Sequence, residues 1–258
     1  MIILIYTVII SVATTLGAIS GLGGGVVIKP LFDAAGFHTM SEIGFYSSVA
    51  VFTMSIVSII KQMKNGFSFQ MKVIFWISFG SLVGGTVGEN IFNIFAETYK
   101  NETVKIVQGG MLAFTLVCIL IYTLNKEKIK SYRMKNFPSI FAAGFFLGAV
   151  SVFLGIGGGP LNVALLMLLF SYTMKEATVY SIATIFFAQI SKLGNIIFSG
   201  KIHSYNLSFI PFICISAVAG GFIGTVINQK LNGGKIEKIY IGLITALLFV
   251  SLYNIFKR

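Results

Sequence analysis

Long apolar runs alternate with short polar segments along the whole chain. A helix that crosses a bilayer needs about 20 mostly apolar residues, and the runs that approach this length lie at 2–20, 43–60, 71–95, 104–124, 138–154, 177–198, 206–228 and 236–256. Two further apolar runs, 26–37 and 160–172, are too short to span. The pattern predicts an all-α integral membrane protein.

A glycine-rich break precedes each of the two short runs. The first break reads GLGGG at residues 21–25, and the second reads GIGGG at residues 155–159. Each glycine inside a helix costs about 1 kcal/mol relative to alanine, so a continuous helix is unfavourable there. A short helix that begins at such a break directs its free amides and its positive end toward the break.

The two halves of the chain repeat each other. MSE at 40–42 corresponds to MKE at 174–176, and GGTVG at 84–88 corresponds to GGFIG at 220–224. Interrupted segments at matching positions of two halves are typical of a transporter's binding site. The predicted organisation is a first membrane repeat at 1–125, a basic cytoplasmic linker at 126–136 and a second membrane repeat at 137–258.

The orientation of the halves depends on whether each glycine-broken hairpin turns back within the membrane. If it is re-entrant, each half adds three transmembrane helices, an odd number, and the halves are inverted repeats. The lysine-rich segments 61–72, 126–135 and 229–238 then face the cytoplasm, whereas 33–42 and 96–105 carry no net positive charge and face outside. Parallel halves fit the positive-inside rule, by which cytoplasmic segments are rich in lysine and arginine, slightly less well. We therefore expect the inverted arrangement.

The composition excludes a soluble protein. Only 10% of the residues are charged and 56% are hydrophobic, whereas a soluble domain carries about 25% charged residues. The basic residues that give the chain its net charge of +11 lie between apolar runs. They therefore predict contact with anionic membrane lipid rather than with nucleic acid. We expect a multi-pass protein of the cytoplasmic membrane without cofactor or metal, and a homo-oligomer is left open.

The two glycine breaks resemble those of the sulfite exporter TauE/SafE family. The break at 21–25, followed by Pro30, fits the first motif of that family. The break at 155–159 fits the second, although Pro160 follows directly and no proline corresponds to Pro30. The resemblance covers essentially the whole chain. It implies transport of sulfite, sulfoacetate or a related small sulfur-containing anion across the cytoplasmic membrane.

Backbone amides at the breaks are the principal candidates for binding a small oxyanion. Such donors hold an anion without a permanently trapped charge, and each contact is weak enough to be released. Close contact between helices is the alternative explanation of the same glycines. The candidate residues at the breaks are Gly23, Gly24, Gly25, Gly157, Gly158 and Gly159.

Five side chains extend this candidate site. Lys192 lies deep in an apolar run, with Gln189 and Asn195 one turn away on the same face. A lysine inside a membrane segment is a functional candidate, and snorkelling to the interface is the alternative. Lys29 either lines the anion path or marks the interface. Asn162, just after the second break, either caps the short helix or donates to the substrate, with capping favoured.

The remaining chemistry gives no support to an enzyme. The two histidines, His38 and His203, lie in linkers and are expected at the surface. Neither a dinucleotide fingerprint nor a phosphate-binding loop is present. The sequence therefore predicts a secondary transporter that works by alternating access. A passive small-anion channel and a non-transporting membrane subunit are the alternatives.

Overall fold

The computed structural model describes residues 2–35, 37–154 and 158–256. This part of the chain contains helices and no strands. Its α-helices are α1 (Ile2–Ser20), α2 (Gly25–Ala35), α3 (Met40–Lys64), α4 (Met71–Thr98), α5 (Asn101–Asn125), α6 (Phe137–Phe153), α7 (Gly159–Phe170), α8 (Met174–Phe198), α9 (Ile210–Lys230) and α10 (Gly233–Phe256). Two short 3₁₀ turns, Lys201–Ser204 and Leu207–Phe209, precede α9.

Seven of the described helices are long and apolar enough to cross a membrane, namely α1, α3, α4, α5, α8, α9 and α10. The predicted all-α, multi-pass membrane fold is therefore confirmed. The helices α2 and α7 contain 11 and 12 residues, as the two short apolar runs predict. The predicted run at 206–228 is helical only from Ile210, because Asn206 caps the 3₁₀ turn and Pro211 favours a helix start.

The repeated MSE and MKE motifs are parts of two capping boxes. The Glu42 carboxylate accepts hydrogen bonds from the backbone amide (2.8 Å) and the hydroxyl (2.9 Å) of Thr39 at the start of α3. Glu176 accepts the same pair of bonds from Thr173 before α8, at 2.8 Å each. A threonine three residues before a glutamate satisfies amides that the first helical turn leaves unbonded. The sequence repeat thus encodes the same helix start twice.

The described chain forms two compact units, and each unit draws helices from both predicted repeats. The first unit contains α1, α2, α3, α9 and α8 from Thr178 onward, and the second contains α4, α5, α6, α7 and α10. The fourth helix of each repeat packs on the first helix of the other, α9 on α1 and α4 on α6. The units therefore do not coincide with the sequence repeats.

Glycines make these two helix pairs unusually close. A Cβ atom on Gly224 of α9 would collide with the backbone of Thr15 on α1. In the second unit, a Cβ on Gly84 of α4 would collide with the carbonyl oxygen of Phe145, and one on Gly148 of α6 would collide with that of Ser81. Small residues at such contacts let helix backbones approach in membranes. The repeated GGxxG motif thus fixes the helix pair at the centre of each unit.

The basic linker is attached to the end of the short helix α7. The backbone amides of Tyr132 and Met134 donate to the carbonyl oxygens of Leu168 (2.7 Å) and Leu169 (3.0 Å). Ser171, with a φ of 55°, ends the helix, and its hydroxyl donates to the carbonyl of Tyr132. Two of the final carbonyls of α7 are thereby bonded, and the basic residues of the linker lie near the negative end of the helix.

We expect Gly148→Ala to destabilise the protein, because the added methyl group would meet the backbone of α4. Overpacking of this kind costs about 1–3 kcal/mol. Gly110→Ala in α5 is the matched control, since nothing lies within 4 Å of an added Cβ there; alanine should be neutral or stabilise that helix by up to about 1 kcal/mol. Thermal unfolding of both variants in detergent measures the difference. Equal unfolding temperatures would contradict the packing analysis.

Candidate functional site

The first break is a sharp turn between α1 and α2. Gly21, Gly23 and Gly24 have φ angles of 77°, 80° and 72°, a left-handed conformation that glycine adopts without the steric cost of a Cβ atom. The break at 21–25 is thus present as predicted. All residues from 21 to 24 are buried.

Neighbouring helices pack directly against this first break. A Cβ on Gly24 would lie 2.9 Å from the carbonyl oxygen of Ala13 on α1, and one on Gly23 would lie 2.9 Å from Ile185 Cδ1 on α8. Conversely, a Cβ on Gly17 of α1 would collide with the backbone nitrogen of Gly24. These glycines therefore have a role in close packing, and their role as anion donors stays a prediction.

Polar side chains bond the carbonyl end of α1 at the first break. Asn228 of α9 donates from Nδ2 to the carbonyl of Ile19 (2.8 Å), and Ser181 of α8 donates to the carbonyl of Gly21 (2.7 Å). Asn228 Oδ1 accepts in turn from Gln62 Nε2 at 3.1 Å. Sequence reasoning missed this network, although Asn228 at the end of an apolar run was a signal. Its bonds hold α1 to α8 and α9.

Gly25, the last glycine of the first break, opens α2. A Cβ there would lie 3.2 Å from the Ser47 hydroxyl of α3. Lys29 follows one turn later and is half-buried. A role of Lys29 in the anion path stays a prediction.

The second break ends at Gly158, which has a φ of 87° and precedes α7. Gly157 lies outside the described residues. The backbone amide of Asn162 donates to the Gly158 carbonyl at 2.8 Å. The predicted capping by Asn162 is wrong, because Gly158 occupies the N-cap position and no side chain bonds there. Gly159 and Asn162 are both buried.

Two polar side chains face the second break. A Cβ on Gly158 would lie 3.3 Å from Ser151 Oγ and 3.4 Å from both Nδ2 and Oδ1 of Asn162. Ser151 Oγ is buried and has no hydrogen-bond partner in the structure as described. Tyr240 of α10 donates its hydroxyl to the Pro160 carbonyl at 2.6 Å. Sequence reasoning missed Ser151 and Tyr240, since a serine inside an apolar helix usually bonds its own backbone.

The polar side chains of α8 differ in their surroundings. Lys192 is exposed, and its Nζ donates to the carbonyl of Gly44 on α3 at 3.3 Å. Gln189 is half-buried, with its Oε1 buried and lacking a bonding partner among the described residues, and Asn195 is exposed. The structure therefore connects Lys192 to α3 near Gly44. Binding of substrate by these three residues stays a prediction.

His38 does not lie at the surface, contrary to the sequence-based expectation. Its side chain is 11% exposed, and Nδ1 lies 3.6 Å from Glu42 Oε2. Its ring packs against those of Tyr6 (5.4 Å), Tyr46 (5.1 Å) and Phe209 (5.4 Å). The expectation failed because aromatic residues from three separated segments enclose this loop. His203 is exposed as expected.

Comparison with known proteins identifies relatives of this chain. The family model described as sulfite exporter TauE/SafE matches residues 6–251. The probable membrane transporter protein YunE of Bacillus subtilis is 28% identical, over 88% of this chain and 89% of its own length. The probable membrane transporter protein MJ0441 of Methanocaldococcus jannaschii is 26% identical, over 84% and 83%. No solved structure matches significantly.

We expect Asn228→Ala to lower the stability of the first unit. The change removes the donor to Ile19 and the acceptor for Gln62, and each buried group left unbonded costs about 1–3 kcal/mol. Asn90→Ala, at an exposed position of α4, is the matched control and should leave the unfolding temperature nearly unchanged. Thermal unfolding in detergent measures the unfolding temperature of both variants. If Asn228→Ala lowers it as little as Asn90→Ala does, the hydrogen-bond network does not stabilise the first unit.

We expect Gly24→Ala to impair folding, because the new side chain would be strained by the left-handed backbone and crowded by the Ala13 carbonyl. Gly242→Ala in α10, where nothing lies within 4 Å of an added Cβ, should fold normally. The yield of monodisperse protein on size-exclusion chromatography and its unfolding temperature report the effect. A Gly24→Ala protein as stable as the control would show that the break is less tightly packed than described.

Proposed function

The chain belongs to the sulfite exporter TauE/SafE family, and we propose that it is a secondary transporter for a small sulfur-containing anion. The anion is sulfite, sulfoacetate or a similar organosulfonate, and it crosses the cytoplasmic membrane by alternating access. The observation that carries this proposal is the recurrence of a helix break before α2 and before α7. Broken helices at matching positions of two repeats form the substrate sites of many secondary transporters.

The chemistry of the breaks suits a small oxyanion. Both α2 and α7 begin with a glycine, Gly25 and Gly159, so their amide ends point back to the breaks. A helix start attracts negative charge through its unpaired N–H groups and its dipole. Such contacts are individually weak, which allows the anion to leave after transport.

Alternating access requires bodies that move without losing their internal packing. Each compact unit has such a core, α1 with α9 in the first and α4 with α6 in the second. Their close glycine contacts favour movement of each pair as one body, because packed interfaces change discretely rather than by gradual deformation.

Additional side chains fit this function. In the proposed mechanism, Lys29 and Lys192 attract the anion, and Gln189 and Asn195 donate hydrogen bonds along its path. In this proposal the repeats are inverted, each with a re-entrant hairpin. Lysines between the helices contact anionic lipid at the cytoplasmic surface.

Flux measurements with purified protein in liposomes test this proposal. Sulfite, thiosulfate, sulfoacetate, sulfate and acetate are compared, and we expect saturable flux for a sulfur anion and accumulation under an imposed ion gradient. Protein-free liposomes and the Gly110→Ala protein serve as controls. Non-saturable flux without accumulation would instead indicate a passive channel. No flux of any sulfur anion would contradict the proposal and favour a non-transporting membrane subunit.

A further inference from the structure

The two breaks differ at the positions that face them. When the glycines of the two breaks are aligned, Gly17 corresponds to Ser151 and Ile28 corresponds to Asn162. The side chains at these corresponding positions therefore differ between the repeats, with glycine and isoleucine in the first and serine and asparagine in the second.

At the positions of Gly17 and Ile28, the first break offers neither space for a ligand nor a polar side chain. A Cβ on Gly17 would collide with the backbone nitrogen of Gly24, so α1 lies directly against the turn. Ile28 is completely buried and apolar. At the same break, the carbonyls of Ile19 and Gly21 already accept hydrogen bonds from side chains of α9 and α8. The first break is therefore tightly packed, with two carbonyls already bonded by side chains.

The second break has an unsatisfied hydroxyl directed toward it. Ser151 is 6% exposed, and its Oγ lies 3.3 Å from the position of a Cβ on Gly158. Several other buried hydroxyls in the helices bond back to the preceding turn, as Thr14 does to Ile10 (2.6 Å) and Ser55 to Val51 (2.7 Å). Ser151 has no such bond in the described chain. A buried hydroxyl without a partner lowers stability, and a ligand that bonds it removes this cost.

Asn162 completes the polar surface of the second break. It is 5% exposed, and its amide group lies 3.4 Å from the same Cβ position. An asparagine amide offers two N–H donors and a serine hydroxyl offers one. Tyr240, by bonding the Pro160 carbonyl, holds the first turn of α7 in place. Neutral donors from α6 and α7 therefore lie beside Gly158, the residue that precedes α7.

We propose that Ser151 and Asn162, which lie next to Gly158, form the side-chain part of the anion site at the second break, with the Ser151 hydroxyl and the Asn162 amide donating to oxygens of the bound sulfur oxyanion. This inference rests on the proposed transport function and makes the two repeats unequal. The first repeat supplies a rigid turn, and the second supplies the specificity. Because both donors are neutral, neither of them forms an ion pair with the anion.

Anion binding to the Ser151→Ala protein tests this assignment. Ser78→Ala is the matched control, because Ser78 of α4 is 4% exposed and its hydroxyl likewise lacks a partner in the described structure. Calorimetry with sulfite, thiosulfate and sulfoacetate measures the dissociation constants. We expect Ser151→Ala to weaken binding about ten- to hundredfold, as for loss of a hydrogen bond to a charged group, and Ser78→Ala to change it less than twofold. Unchanged binding by Ser151→Ala, or equal weakening in both variants, would overturn the assignment.

Asn162→Leu tests the second donor. The substitution retains similar volume and removes both amide hydrogens, so binding should again fall about tenfold or more. Ile28→Val at the corresponding position of the first break should bind like the unmodified protein. Equal affinities for Asn162→Leu and Ile28→Val would overturn the role of the asparagine.

Cysteine labelling separates failure of the site from failure of the proposed substrate class. Cysteine is placed at position 151 or 78 in a protein whose Cys118 and Cys214 are replaced by alanine, and each variant is treated with an anionic, sulfonate-bearing thiol reagent. We expect labelling at position 151, slowed by bound sulfur anion, and little labelling at position 78. If the unmodified protein binds no sulfur anion but position 151 is labelled selectively, the substrate class is wrong and an anion-accessible site is supported. If sulfur anions bind but position 151 is not labelled, the site is wrong and the transport proposal stands.

Discussion

A helix that ends inside a bilayer must have its terminal backbone groups bonded by other parts of the protein, because lipid offers no hydrogen bonds. This requirement explains much of the polar chemistry in this chain. Asn228 and Ser181 bond the end of α1, and the amides of Tyr132 and Met134 bond the end of α7. Some polar residues of the apolar helices thus bond helix ends. The Ser151 hydroxyl, by contrast, has no partner in the described part of the chain.

Two close helix pairs support these breaks. The pairing of α1 with α9, and of α4 with α6, depends on glycines that admit no side chain. In the first unit, this contact brings α9, and with it Asn228, to the end of α1. In the second unit, it holds α6 against α4, so that Ser151 is presented to Gly158 by a firmly packed helix. Packing and site geometry are therefore determined by the same contacts.

The helices and breaks were predictable because their signals are local. Apolar length identifies membrane helices, and clustered glycines identify interruptions. The capping role of Asn162 was predicted wrongly, since a cap depends on which residue adopts the non-helical backbone, and Gly158 does so here. The burial of His38 was missed because residues remote in sequence enclose it. Ser151 could be recognised only after its distance from Gly158 and its missing bond were known.

The exchange of helices between the repeats also determines when the protein can become folded during translation. The helix α1 enters the membrane first, yet its partner α9 is among the last helices made. Until α9 emerges, the glycine-packed face of α1 has no native neighbour, and the end of α1 lacks the bond from Asn228. The first unit is therefore completed only near the end of synthesis. One repeat expressed alone would lack the partner for its first helix, and a second copy could supply it by pairing its fourth helix in trans.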